Sequence, residues 1–145
     1  MIAVIQRVAK ARVSVRELTI SEINHGMVIL LGIRKGDTVD QVSRLARRCV
    51  NLRVFEDSDG KFNLSLKDVG GEALVVSQFT LLADTSRGRR PSFTDAEEPQ
   101  QSKVLYDSFV QDMISCGVST KAGVFGEHML VSLDNDGPVT VILEE

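Results

Sequence analysis

Residues 26–33 read GMVILLGI, apolar throughout and punctuated by Gly26 and Gly32. A run this short and this apolar reads as a central strand buried on both faces. Before it, MIAVIQRV (1–8) and ARVSVREL (11–18) carry the alternating or continuous Val- and Ile-rich pattern of strands. After it the period changes. Val39, Val42, Leu45, Ala46, Cys49 and Val50 form the stripe of an amphipathic helix, capped by Asp37 or Thr38. NLRVF (51–55) resumes strand character, DSDGKFNLSL (57–66) is a polar turn and a short segment, and GEALVVSQFTLLAD (71–84) predicts a long strand.

The stretch TSRGRRPSFTDAEEP (85–99) has no periodicity, and loops of that length in a compact domain tend to be functional or mobile. A second helix is expected from about Gln100 to Cys116, with Leu105, Phe109, Met113 and Cys116 on one face and Gly117 as its stop. STKAGVF (119–125), MLVSL (129–133) and PVTVIL (138–143) predict three more strands. Asp136-Gly137 between the last two suggests a hairpin turn, although Pro138 has no N–H to give a ladder. With about eight strands to two helices, the expected fold is mixed α/β. Antiparallel, barrel-like sheets pack on one another, and two main helices cover one outer face. No linker or repeat divides the chain, so residues 1–145 are expected to form a single domain.

Hydrophobic residues make up 43% and charged residues 26% of the chain, the balance of a soluble globular protein. The start lacks the features of a secretory signal and no apolar run approaches a membrane span, so a cytoplasmic protein with no membrane partner is expected. A net charge of −3 argues against a generally basic nucleic-acid binder, and no DNA partner is expected, but it permits a local basic patch. Two such patches stand out: Arg44, Arg47 and Arg48 on one helical face, and Arg87, Arg89 and Arg90 in the long loop. The loop cluster is the stronger expectation because it follows the SQFTL segment.

His25 and His128 have no partners at metal-ligand spacing, Cys49 and Cys116 form no C-x-x-C pair, and no G-x-S-x-G elbow is present. No metal or cofactor is expected, and the cysteines read as small buried apolar groups. SQFTL (77–81) sets two hydroxyls and an amide in an apolar strand, with Ser77, Phe79 and Leu81 on one face and Gln78 and Thr80 on the other. On residue chemistry alone it is either an ordinary strand edge or part of a site.

SQFTL (77–81) and NDGPVT (135–140), with the opening MIAVIQRV and the loop RGRRPSF (87–93), resemble the D-aminoacyl-tRNA deacylase family along nearly the whole chain. One departure is that VRELTIS (15–21) lacks a glycine common in that early hairpin, which leaves its turn open. The resemblance implies a layered α/β/β domain and a homodimeric hydrolase with active sites at the interface. Such an enzyme cleaves the ester between a D-amino acid and the 3′-terminal adenosine of tRNA, and also acts on glycyl-tRNA mischarged on tRNA(Ala). It implies that Gly137-Pro138 is cis and enters the partner's pocket, where carbonyl oxygens collide with an L side chain. It places Met129 in that pocket and Arg7 against the Gly-Pro carbonyls. The N–H groups around Phe79 and Thr80 become an oxyanion hole, with Thr80 positioning, Gln78 and Ser77 holding strand and substrate, and Phe79 beside the terminal adenine. The ribose 2′-hydroxyl of the tRNA assists the water, and Arg87, Arg89 and Arg90 follow its phosphates. A related deacylase class with trans Gly-Pro and relaxed chirality, whose motif begins with proline in place of Ser77, and a non-catalytic dimer that binds RNA ends remain as alternatives.

Overall fold

In a computed structural model, residues 1–86 and 88–145 are described; Arg87, one of the three loop arginines, lies outside them. The elements are β1 (Ile2–Val15), β2 (Leu18–Ile23), β3 (Gly26–Gly32), α1 (Val39–Val50), β4 (Phe55–Glu56), β5 (Phe62–Leu64), β6 (Glu72–Ser77), a 3₁₀ turn (Phe79–Leu82), α2 (Pro99–Ser115), β7 (Ser119–Ala122) and β8 (Leu130–Glu144). One six-stranded sheet runs β2-β1-β3-β6-β7, with β8 on the other side of β1, and β4 and β5 form a separate pair. The pairings of β1 are antiparallel, whereas β3–β6 and β6–β7 are parallel.

The apolar run of β3 lies at the centre because each of its faces meets a different core. Met27, Ile29 and Leu31 join Ile5, Val75 and the inward faces of α1 and α2, including Leu45, Phe109 and Met113. Val28 faces Val8, Val13, Ile23, Leu74 and Val76, where the second half of β1 and β2 close over the opposite side. Both helices therefore cover one face, as their stripes require. Thr38 caps α1 through a capping box with Gln41, leaving Asp37 to take the N-terminal ammonium at 3.0 Å and the Arg34 N–H at 2.7 Å.

Three expectations of the local pattern are corrected. MIAVIQRV and ARVSVREL form one strand, and the polar break near Lys10 marks where β1 exchanges partners. Ile2–Val8 pair with β3, and residues 11–15 with β2. MLVSL and PVTVIL likewise form one strand along β1, so Asp136-Gly137 is not a hairpin. The long strand expected through SQFTL ends at Ser77, and the chain curls into the 3₁₀ turn, which removes the predicted alternation of faces. The glycine-free hairpin forms nonetheless, with Arg16 at φ 49° and Glu17 at φ 68° between Val15 and Leu18.

β3 and β6 approach so closely at their first residues that a Cβ on Gly26 would lie 1.9 Å from the Glu72 carbonyl oxygen. Backbone cannot yield there without breaking the parallel pairing of Gly26 with Glu72. Gly26→Ala is expected to destabilise the protein by roughly 3 kcal/mol or more, read from the midpoint of urea denaturation at unchanged m-value.

Candidate active site

The 3₁₀ turn begins where β6 runs out of partner. The Gln78 N–H donates to the Leu31 carbonyl at 2.8 Å, the last bond to β3, and the turn then closes on itself through Leu81 N–H to Gln78 O at 3.3 Å. A helical start leaves its first N–H groups without internal acceptors. Among the described residues, the Phe79 and Thr80 N–H groups have none. The Gln78 side-chain amide donates to the Thr80 hydroxyl, tying the two polar side chains together.

Beside this turn lies a cavity of about 270 Å³. Leu31, Ile33, Phe79, Pro99 and Phe125 give it an apolar lining; Ser77, Gln78, Ser102 and Glu97 supply the polar groups. Phe79 is 57% exposed and stands edge-on to Phe93 of the long loop, with ring centroids 5.0 Å apart. The loop is held against the end of β3 by Lys35 N–H to Asp95 O at 3.0 Å and Glu97 N–H to Ile33 O at 2.9 Å. Its entry is pinned by Asp84, whose carboxyl is held below the ordinary range by hydrogen bonds from the Ser86 hydroxyl and N–H.

Among the described residues Glu97 is the one ionisable group in the lining, and both its oxygens accept backbone N–H groups, from Gly36 at 3.2 Å and Glu98 at 2.9 Å. It is built into the loop and is poorly placed to take a proton from a substrate or water. Cys49 is buried, which pushes its thiol up to about 12 and leaves it an inert apolar group. Burial also raises the Tyr106 phenol, whose hydroxyl donates to the Val75 carbonyl at 2.8 Å.

Gly137 and Pro138 occupy a different place. Gln6 pairs with Thr140 and Val8 with Asn135, so residues 136–139 of β8 bulge out opposite Arg7 alone. Asn135 closes the bulge with its side chain: Oδ1 accepts Val139 N–H at 2.7 Å, and Nδ2–H donates to Val139 O at 3.3 Å. The Gly137-Pro138 peptide is cis, and both residues are exposed. Gly137 has φ 132°, and a Cβ there would lie 2.8 Å from Val139 Cγ2 and 3.1 Å from Arg7 Nη2. Only glycine fits. Arg7 is 6% exposed; its Nε–H donates to the Asp136 carbonyl at 2.9 Å and its Nη1–H to the Val54 carbonyl at 2.7 Å. The carbonyl it holds is thus the one just before the Gly-Pro pair.

Ser77, Gln78, Phe79 and Thr80 are brought together, and so are Arg7, Gly137 and Pro138, but the two groups are apart in one chain. The Ser77 level of the sheet is that of Leu31 and Ala3, four residues along β1 from Arg7. With three strand spacings between β6 and β8, the separation along the sheet is roughly 20 Å. Met129 lines neither group; its sulfur fills the space that Gly123 leaves empty and packs on the second core cluster. Arg89 and Arg90 are exposed in the loop. Phe93, Phe125 and Asn135 were not singled out from sequence. Phe125 reaches the site by tertiary packing that leaves no local signal, whereas Phe93 ends RGRRPSF and Asn135 opens NDGPVT.

A family model described as D-Tyr-tRNA(Tyr) deacylase matches residues 4–144. The chain is 49% identical to the D-aminoacyl-tRNA deacylase of Fervidobacterium nodosum, over 99% of this chain and 97% of that one. It is 52% identical to that of Roseiflexus castenholzii, over 99% and 92%. Among solved structures, one described as c-Myc DNA unwinding element binding protein superposes with a TM-score of 0.94 at 41% identity, over 100% and 99% of the two chains. Another, described as a probable eukaryotic D-amino acid tRNA deacylase, gives 0.84 at 15% identity, over 98% and 97%, a likeness of fold alone.

Proposed function

Since the chain belongs to the D-Tyr-tRNA(Tyr) deacylase family and is a hydrolase of D-aminoacyl-tRNA, we propose that it removes D-amino acids from tRNA in the cytoplasm as a homodimer, by a main-chain site assisted by the substrate. The observation that carries this reading is the pair of Phe79 and Thr80 N–H groups, without acceptors among the described residues, on the turn beside an apolar cavity whose one ionisable lining residue among those described is already engaged. Such donors stabilise an ester oxygen as it gains charge when water adds. The bond between the carbonyl carbon and the ribose 3′ oxygen then breaks, and that oxygen leaves with a proton. With Glu97, the ionisable residue of the lining among the described residues, engaged by backbone N–H groups, the neighbouring 2′-hydroxyl orients and activates the water. Ser77 and Gln78 hold the strand end and substrate, Thr80 is a positioning group that accepts the Gln78 amide, and the exposed ring of Phe79 receives the terminal adenine.

Chirality is selected by Gly137 and Pro138 of the partner subunit, whose carbonyl oxygens exclude an L side chain and pass a D one. Glycine has no side chain to collide, so glycyl-tRNA mischarged on tRNA(Ala) is also a substrate. The separation of the two motifs within one chain supports a meeting between chains. So does the surface of β8, a 15-residue strand with no partner on its outer edge among the described residues. Ile142, 61% exposed, continues a row with Val4 and Leu30 across three paired strands. A second copy of the chain, covering that apolar row, is the expected occupant. Met129 belongs to the pocket only as that copy completes it. Arg89 and Arg90, with Arg87, track the tRNA phosphates.

Hydrolysis of D-tyrosyl-tRNA and L-tyrosyl-tRNA, followed by thin-layer chromatography, tests the function. Selective loss of the D ester is expected; comparable loss of both contradicts the gate, and retention of both contradicts catalysis. Thr80→Ala is expected to keep kcat within about tenfold of the parent, since the oxyanion donors are main-chain groups; abolition of turnover in a folded dimer identifies a nucleophile instead. A substrate ending in 2′-deoxyadenosine is expected to turn over at least about a hundredfold more slowly, the loss typical of a missing catalytic group. Normal turnover excludes the 2′-hydroxyl mechanism.

A further inference from the structure

Among the described residues β4 and β5 pair only with each other, and a lone two-stranded hairpin is marginal in water. One side of it is anchored in the core: Phe55 is 2% exposed and meets His25 edge-on at 5.1 Å, while Leu64 packs on the helix-side cluster. The other side carries the cross-strand pair Glu56 and Phe62. Phe62 is left 55% exposed, so burial of its ring does not explain it.

Both members of that pair face one group. The Arg7 guanidinium carbon stands over the Phe62 ring, 5.4 Å from its centroid, and Glu56 Oε1 is 3.7 Å from Arg7 Nη2. A guanidinium donates hydrogen bonds only from its edge, and its face is available for an aromatic ring. Arg7 has a choice at that edge. Its Nε–H bonds the Asp136 carbonyl at 2.9 Å, while the Asp136 carboxylate lies 3.5 Å away and, like Glu56, is half exposed. If the guanidinium plane turned, either carboxylate would capture it and the main-chain carbonyl before Gly137 would be released.

We infer that Phe62 is a positioning residue for stereochemical selection. Its ring fixes the plane of Arg7, so that the Asp136 carbonyl, and with it the Gly137-Pro138 bulge, keeps one position. This rests on the reading of that bulge as the chiral gate.

The test compares kcat/KM for D-tyrosyl-tRNA and L-tyrosyl-tRNA in full-length dimeric variants. Phe62→Leu keeps an apolar side chain of similar bulk but removes the aromatic face, and the D-to-L ratio is expected to fall about tenfold, while Phe62→Tyr keeps it near the parent value. Gly137→Ala, which forces a side chain into the bulge, serves as the control for the gate. A ratio within twofold of the parent for Phe62→Leu, alongside a lowered ratio for Gly137→Ala, overturns the role of Phe62 and spares the gate. No change in either variant overturns the gate and this inference with it. An equal fall for Phe62→Tyr and Phe62→Leu also overturns the inference, because the ring would then not be the cause.

Discussion

A guanidinium removed from water must be met by acceptors or it destabilises the fold by several kcal/mol. Arg7 sits on the helix-side face of β1, where it continues the inward row of Ala3 and Ile5, and is 6% exposed. The ladder on either side of β1 spends its carbonyls on neighbouring strands, so the acceptors come from irregular chain. One is the Val54 carbonyl just before β4, and the other is the Asp136 carbonyl, within reach because β8 leaves the ladder for four residues. The position of the Gly-Pro bulge, of the small hairpin and of the end of the helix-side core are thus tied through one buried charge.

The same economy of partners organises the surface. Glu145 takes Arg44 at 3.2 Å and Arg48 at 2.9 Å, and Glu144 takes Arg34 at 3.0 Å. Those two arginines hold the Glu145 carboxyl below its ordinary range. Pairs made by such exposed arginines contribute little stability, but they offset the charge of Arg44 and Arg48, two of the three arginines on that helical face. Arg89 and Arg90 are in no ion pair among the described residues, and their loop is stitched to the end of β3 beside the cavity. In a chain of net charge −3, Arg89 and Arg90 give this loop a local positive charge, which is what the proposed contact with tRNA phosphates requires.

The cavity itself follows from where pairing stops. β6 is held by β3 as far as the Leu31 carbonyl, and beyond that the chain tightens into a 3₁₀ turn whose first N–H groups face no acceptor. The long loop then packs Phe93 on Phe79 and brings Glu97 into the wall. Main-chain donors on a turn anchored to a central strand are rigid, as the proposed stabilisation of transition-state charge requires.

By itself the sequence determined the periodic elements and their burial. The two-faced β3 and the helical stripes of Val42 to Val50 and Leu105 to Met113 all follow from residue spacing, because side chains alternate in strands and repeat every 3.6 residues in helices. The motifs SQFTL and NDGPVT were legible too, but not their shapes: a strand was expected where the chain curls at Phe79, and a hairpin where β8 merely bulges at Asp136. Partner exchange along β1, the choice of the Asp136 carbonyl by Arg7, the packing of Phe93 on Phe79 and the meeting of Phe79 and Phe125 at one cavity belong to tertiary structure alone. Each is a contact between residues distant in the chain, decided by which hydrogen-bonding groups remain unsatisfied once the sheet has assembled, and local spacing carries no record of that competition.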